Sequence, residues 1–156
     1  MKNKLALVLA TWFGCGYFPV GPGTAGSLAA LGIAIALQHY LGLQAYGFGI
    51  LAILLFLPGI WASTIAANVS GRKDPGLVVV DEVIGQWITL SGATVLNWKS
   101  WAAAFVLFRV LDIWKPAPAR RLESLPGGTG IVMDDVMAGI YGALIMFAAG
   151  CLNLYG

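Results

Sequence analysis

Apolar residues run in long unbroken stretches along this chain. After the N-terminal region there are five, at about Ala25–Leu41, Ala45–Ala67, Leu77–Leu96, Trp101–Ile113 and Ile131–Leu154. Runs of this kind predict helices, and a helix crossing about 30 Å of hydrocarbon needs roughly 20 residues. The second, third and fifth stretches reach that length and the first falls slightly short. The fourth is short enough to be tilted, covered by neighbours or only partly inserted. The fold expected is all-α: a polytopic membrane bundle of about four to five transmembrane helices, forming one domain over residues 1–156.

Composition supports the membrane reading. Hydrophobic residues make up 59% of the chain and charged residues 10%, against about 25% charged in soluble domains; the mean hydropathy is +0.83. A net charge of +2 is too weak to argue for a nucleic-acid partner, and nothing in the chain specifies an oligomeric state. Cys15 and Cys151 form no metal-binding spacing, so free buried thiols are expected. Lys2 and Lys4 ahead of Leu5–Ala10 imitate a secretory leader. The run then breaks at Gly14, Gly16, Pro19 and Gly21, so no cleavable leader is expected.

The basic residues orient the segments. Lys2 and Lys4 precede the first, Arg72 and Lys73 separate the second from the third, and Lys115, Arg120 and Arg121 separate the fourth from the fifth. The other two connections hold only His39 and Lys99. Alternating crossings put the seven loop and tail cations on one side, which the positive-inside rule makes cytoplasmic. The same alternation brings Gly21–Thr24, Asp81-Glu82, Arg109 with Asp112, and Asp134-Asp135 to one depth near the cytoplasmic headgroups. Trp61, Trp87, Trp98, Trp101 and Trp114 lie mostly near segment ends, as interfacial anchors do.

Five of the seven carboxylates, Asp81, Glu82, Asp112, Asp134 and Asp135, sit in or at the edge of apolar segments. Ionisable groups at membrane depth cost roughly 2.5–3.5 kcal/mol each on insertion scales, and they usually mark a functional site. Carboxylates from several helices suit Mg2+, which prefers oxygen ligands; His39 stands alone on the far side. Adjacent helical residues point about 100° apart, so one acid of each pair faces a metal while its neighbour serves a second metal, a water or a cation. The bland alternative places these acids at helix N-termini facing headgroups, favoured by the helix dipole. Arg109 and Asp112 share a helix face three residues apart, with Lys115 following; they bind phosphate, or form an internal pair with Lys115 reaching the headgroups. Gly21-Pro22-Gly23-Thr24-Ala25-Gly26-Ser27 opens a helix whose N–H groups attract anions, while capping by Thr24 or Ser27 is the plainer reading. Gly127-Gly128-Thr129-Gly130 reads as a hinge-like loop.

In combination these blocks resemble the phosphatidylglycerophosphatase A family over about residues 12–150. The first is Gly14–Pro19 leading to Pro22–Ser27. The second is Asp74-Pro75-Gly76 followed by Val80–Gly85. The third is Phe108–Pro118 and the fourth Gly127–Gly139. The resemblance implies an all-helical, Mg2+-dependent lipid phosphatase of bacterial inner membranes that converts phosphatidylglycerophosphate to phosphatidylglycerol. The N-terminus leaves little room for a helix before Gly14. Within that chemistry, Asp81, Glu82, Asp134 and Asp135 hold one or two Mg2+ ions, Arg109, Lys115 and Thr24 bind phosphate, and Asp112 is a base, a nucleophile or a further ligand. The catalytic set is then Asp81, Asp112 and Asp134. Competing classes fit less well. One histidine excludes a histidine-based phosphatase, and no Asp-x-Asp motif supports a haloacid-dehalogenase mechanism. A CDP-alcohol phosphotransferase needs a longer acidic run. A transporter would spread its acids through the membrane depth and show internal symmetry. A structural membrane protein would make the acids dispensable.

Overall fold

Punctuation residues set the helix ends. In a computed structural model, which describes residues 2–156, Pro22 opens helix α2 (Pro22–Leu41) where its missing N–H costs nothing. Gly42, at φ 65°, closes it with its N–H on Gln38 O. Helix α3 (Ala45–Ser70) ends on left-handed Gly71. Asn97 caps α5 (Trp98–Trp114) in a reciprocal capping box with Ser100. The remaining helices are α1 (Lys2–Ala10), α4 (Val80–Ser91), the short α6 (Ala119–Leu122) and α7 (Gly128–Cys151). No strand occurs among the described residues.

Helix α4 is the hub. Nine of its twelve residues are buried, and it packs on α2, α3, α5 and α7. Small residues allow that closeness: Gly85 faces Phe108 and the backbone of Asp135, and Gly139 faces the backbone of Gly85. The outer faces carry exposed Ile53, Leu57, Val110, Leu144 and Phe147, a surface suited to lipid. Helices α2, α3 and α7 are long and apolar enough to cross a membrane.

Several boundaries differ from the sequence reading. The stretch Leu77–Leu96 yields only the twelve residues of α4, about 18 Å at 1.5 Å per residue, because the helix ends at Gly92, packed against the backbone of Ala143. The first stretch gains a turn from Pro22 and reaches twenty residues. A nine-residue helix does precede Gly14, and its last residue, Ala10, accepts a hydrogen bond from Val79 N at 2.8 Å. Gly128–Gly130 belong to α7 and form no hinge. There Gly128 lies on the backbone of Ile60 and Thr64, with its N–H donating to Thr64 Oγ1 at 3.0 Å, so glycine serves close approach. Trp87 and Trp101 are core residues, with Trp87 Nε1 donating to Ala30 O at 3.0 Å. Trp98 and Trp114 are exposed at the two ends of α5. Cys15 and Cys151 are both free, but neither is buried as expected: Cys15 is half-buried, and Cys151, at the end of α7, is exposed.

Candidate active site

The start of α4 is held before any ligand arrives. Val78 N donates to Pro75 O at 2.9 Å, closing a turn, and the Val79–Ala10 bond pins the next residue. Asp81 and Glu82 fill the first helical turn, where the dipole favours negative charge. Asp134 and Asp135 lie elsewhere than expected: α7 begins at Gly128, so they sit almost two turns inside the helix and the terminal-dipole explanation does not reach them.

Carboxylate oxygens of Asp81, Glu82 and Asp135 lie within 4.8 Å of one another. Asp112 adjoins this cluster through Arg109, which contacts both Asp112 and Glu82. Asp81 Oδ1, Glu82 Oε2 and Asp135 Oδ2 are buried with no hydrogen-bond partner. Three acids converging on one point with orphaned hard oxygens could hold a cation, since unpaired buried charges are strongly unfavourable.

A cationic wall flanks this cluster. Arg109 Nη1 donates to Asp112 Oδ2 at 2.5 Å and lies 3.9 Å from Glu82 Oε1. Lys115 caps α5 in the left-handed region at φ 49°, a conformation costing a non-glycine residue about 1–2 kcal/mol. Its ammonium donates to Asp134 Oδ2 at 2.7 Å and lies 3.5 Å from Glu123 Oε2. Burial alone would lower the Lys115 pKa; the hydrogen bond and charge of Asp134, with Glu123 and Asp135, outweigh it and hold the ammonium protonated. The two acidic pairs thus divide unequally. Asp81 and Glu82 both reach the cluster, whereas Asp135 joins it and Asp134 turns to Lys115.

The Gly-rich start of α2 forms another wall. Gly21 is the N-cap at φ 64° with no side-chain cap, so neither Thr24 nor Ser27 caps the helix. Thr24 is half-buried on the first turn. A Cβ on Gly23 would meet Glu82 Oε1 and come 3.3 Å from Arg109 Nη1. Gly23→Ala is therefore expected to lower kcat/KM about tenfold or more through displacement of Glu82 and Arg109, with little loss of melting temperature. Parallel measurements of activity and Tm check this, and unchanged activity would show that the glycine serves only the turn.

Three residues escaped the sequence reading. Asp74 and Glu123 join Lys73, Gly127, Ile131 and Asp134 around a cavity of about 20 Å³. Burial raises the Asp74 carboxyl above its usual range, against the lowering effect of Lys115. All seven carboxylates of the chain therefore belong to one contiguous assembly. Loop acids look like ordinary solvation in sequence, and only the fold shows otherwise. Gln86 is fully buried with both amide atoms unpartnered. Its legible signal was an amide one turn beyond Glu82 in an apolar helix. His39, in the last turn of α2, is at the opposite end of that helix from Gly23.

Comparison with known proteins gives the family of the chain. Residues 8–150 match the family model described as Phosphatidylglycerophosphatase A. A Bacteroides thetaiotaomicron protein provisionally named phosphatidylinositol-3-phosphatase is 41% identical over 93% of this chain and 93% of its own length. Proteins named phosphatidylglycerophosphatase A from Escherichia coli and Haemophilus influenzae are each 40% identical, over 96% and 90% of this chain and 86% of their own lengths. No solved structure matches the chain significantly.

Proposed function

We propose, from the premise that the chain belongs to the phosphatidylglycerophosphatase A family and is a phosphatase, that it hydrolyses the terminal phosphomonoester of phosphatidylglycerophosphate with Mg2+ as cofactor. The products are phosphatidylglycerol and inorganic phosphate. The observation that carries this reading is the junction of three carboxylates bearing orphaned oxygens with a paired arginine and lysine. The names of the relatives favour the same chemistry: both substrates are diacyl lipids whose phosphodiester headgroup carries a further phosphomonoester.

Asp81, Glu82 and Asp135 would hold the ion, and Asp134 keeps Oδ1 unpartnered for the same purpose. Bound there, Mg2+ would supply Lewis acidity toward the phosphoryl oxygens and toward an attacking water. Arg109 and Lys115 neutralise the remaining oxygens, which is most of what a phosphomonoester requires. The first-turn N–H groups at Thr24 complete the cradle. Asp112 fixes the Arg109 guanidinium and would take the proton of the attacking water.

Location follows the same reading. The protein is a multi-pass component of the bacterial inner membrane, with α5 crossing between the exposed Trp98 and Trp114 at its ends and the site at the cytoplasmic interface. Four or five crossings result, with α4 enclosed by the others.

Phosphate release from phosphatidylglycerophosphate by the purified protein, with Mg2+ and with EDTA, tests the function. Asp81→Asn and Asp134→Asn are assayed beside it. Chelation and each substitution are expected to lower activity at least about a hundredfold. Activity surviving all three would refute the metal–carboxylate site.

A further inference from the structure

We propose that a second anion subsite lies on the outer side of Lys115 and binds the phosphodiester of the lipid substrate. The proposal rests on the function given above and extends it from the reacting phosphate to the rest of the headgroup.

A groove of about 370 Å³ is walled by Trp114, Lys115, Pro116, Ala117, Arg120 and Arg121. Its charge is the reverse of the neighbouring cluster. Arg109 and Lys115 each pair with two acids, whereas no carboxylate among the described residues lies within 4.0 Å of Arg120 or Arg121. Every carboxylate of the chain belongs to the acidic assembly beyond this groove's lining, and none walls the groove itself. Two exposed guanidiniums without counter-ions therefore face a site whose expected substrate is a polyanion.

The groove is built and joined to the reaction centre. Arg121 N donates to Pro118 O at 2.8 Å, forming the turn that opens α6. Tyr141 of α7 donates to Ala117 O at 2.8 Å and ties that turn to the helix carrying Asp134 and Asp135. Lys115 lines the groove and reaches Asp134, so one side chain borders both compartments. Exposed Trp114 walls the groove and exposed Ile113 precedes it on α5, an apolar surface suited to the glycerol and acyl portion of a lipid. A lipid carrying a diester next to a terminal monoester matches this order: acyl chains on the apolar rim, diester on Arg120 and Arg121, monoester at the carboxylates. Arginine suits the task because its planar fork meets two phosphate oxygens at once.

The test compares the Arg120→Gln/Arg121→Gln double variant with the parent protein in neutral-detergent micelles. Three compounds are used: phosphatidylglycerophosphate, its soluble deacylated form glycerophosphoglycerol phosphate, and glycerol 3-phosphate, which has no diester. Each is read as a substrate or, where it is not turned over, as a competitive inhibitor. The double variant is expected to raise KM or the inhibition constant at least about tenfold more for the two diester compounds than for glycerol 3-phosphate, with kcat changed far less. An effect on the lipid alone would show that the arginines only hold the micelle surface. An equal effect on all three, or none, would overturn the subsite as well. A parent protein that releases phosphate from none of them, and binds none, would instead refute the function on which the subsite rests.

Discussion

Asp135→Asn is expected to abolish phosphate release while making the metal-free protein harder to unfold. Three carboxylates whose oxygens converge within 4.8 Å repel one another whenever they are ionised without a cation between them. At an effective dielectric of about 20, two unit charges at that separation cost roughly 3 kcal/mol. Asparagine keeps the shape of the side chain and removes one charge. The chelated variant should therefore melt several degrees above the chelated parent, at about 2–4 °C per kcal/mol for a chain of this size. Mg2+ should reverse the order: a cation that binds only the folded parent stabilises it by mass action, and the variant has lost a ligand. Activity in the variant should fall at least about a hundredfold at any Mg2+ concentration. Differential scanning fluorimetry in detergent with EDTA and with a Mg2+ series, beside the phosphate-release assay, measures all three effects. A variant that melts lower than the parent in EDTA and still responds to Mg2+ would place the cation elsewhere. The opposed signs make this informative: a residue kept for packing loses stability and activity together, while a residue kept for a ligand trades one for the other.

How much of this was legible depends on the kind of signal each residue carries. Charges in apolar surroundings are rare, so Asp81, Glu82, Asp112, Asp134 and Asp135 announced themselves, and the basic loops foretold that they would meet. The fold brings them to one end of the bundle with Gly23 and Arg109 against Glu82. Asp74 and Glu123 stayed hidden because an acid in a polar loop has an ordinary explanation, and only tertiary packing brings them beside Lys115 and Asp134. Helix lengths were less legible than helix existence. An apolar run reports burial and says nothing of whether lipid or protein covers it, so Leu77–Leu96 looked like a spanning helix and yielded a twelve-residue core helix. Tryptophan failed for the same reason: Trp87 is in the core with its N–H satisfied by Ala30, while Trp114 is exposed at a helix end. The glycines misled in one direction. Gly128 and Gly130 looked like flexibility, yet both sit inside α7 where neighbouring backbone leaves no room for a side chain.

That use of glycine leads to the second large effect, expected for Gly85→Ala. Gly85 lies on α4 one turn past Asp81, at the point where α4 meets α5 and α7. A Cβ there would stand 2.7 Å from Phe108 Cζ and 2.8 Å from the carbonyl oxygen of Asp135. Phe108 is fully buried and precedes Arg109 and Asp112 on α5, so one methyl group wedges apart the three helices that carry the cluster. Overpacking of this kind costs typically about 1–3 kcal/mol. The catalytic effect should be larger, because a shift of about 1 Å in reacting groups lowers turnover about a hundredfold. Two further variants isolate the cause. Gly32→Ala on the same class of helix meets nothing within 4 Å; it should preserve activity and stabilise α2 by about 0.5–1 kcal/mol. Phe108→Leu shortens the ring that the new methyl strikes, so Gly85→Ala/Phe108→Leu should recover part of the activity lost by Gly85→Ala, a positive coupling in a double-mutant cycle. Strict additivity in kcat/KM and Tm would show that Gly85 acts through something other than the spacing of α4 and α5. Recovery would show that the positions of the carboxylates are set by how closely three helices approach at a single glycine.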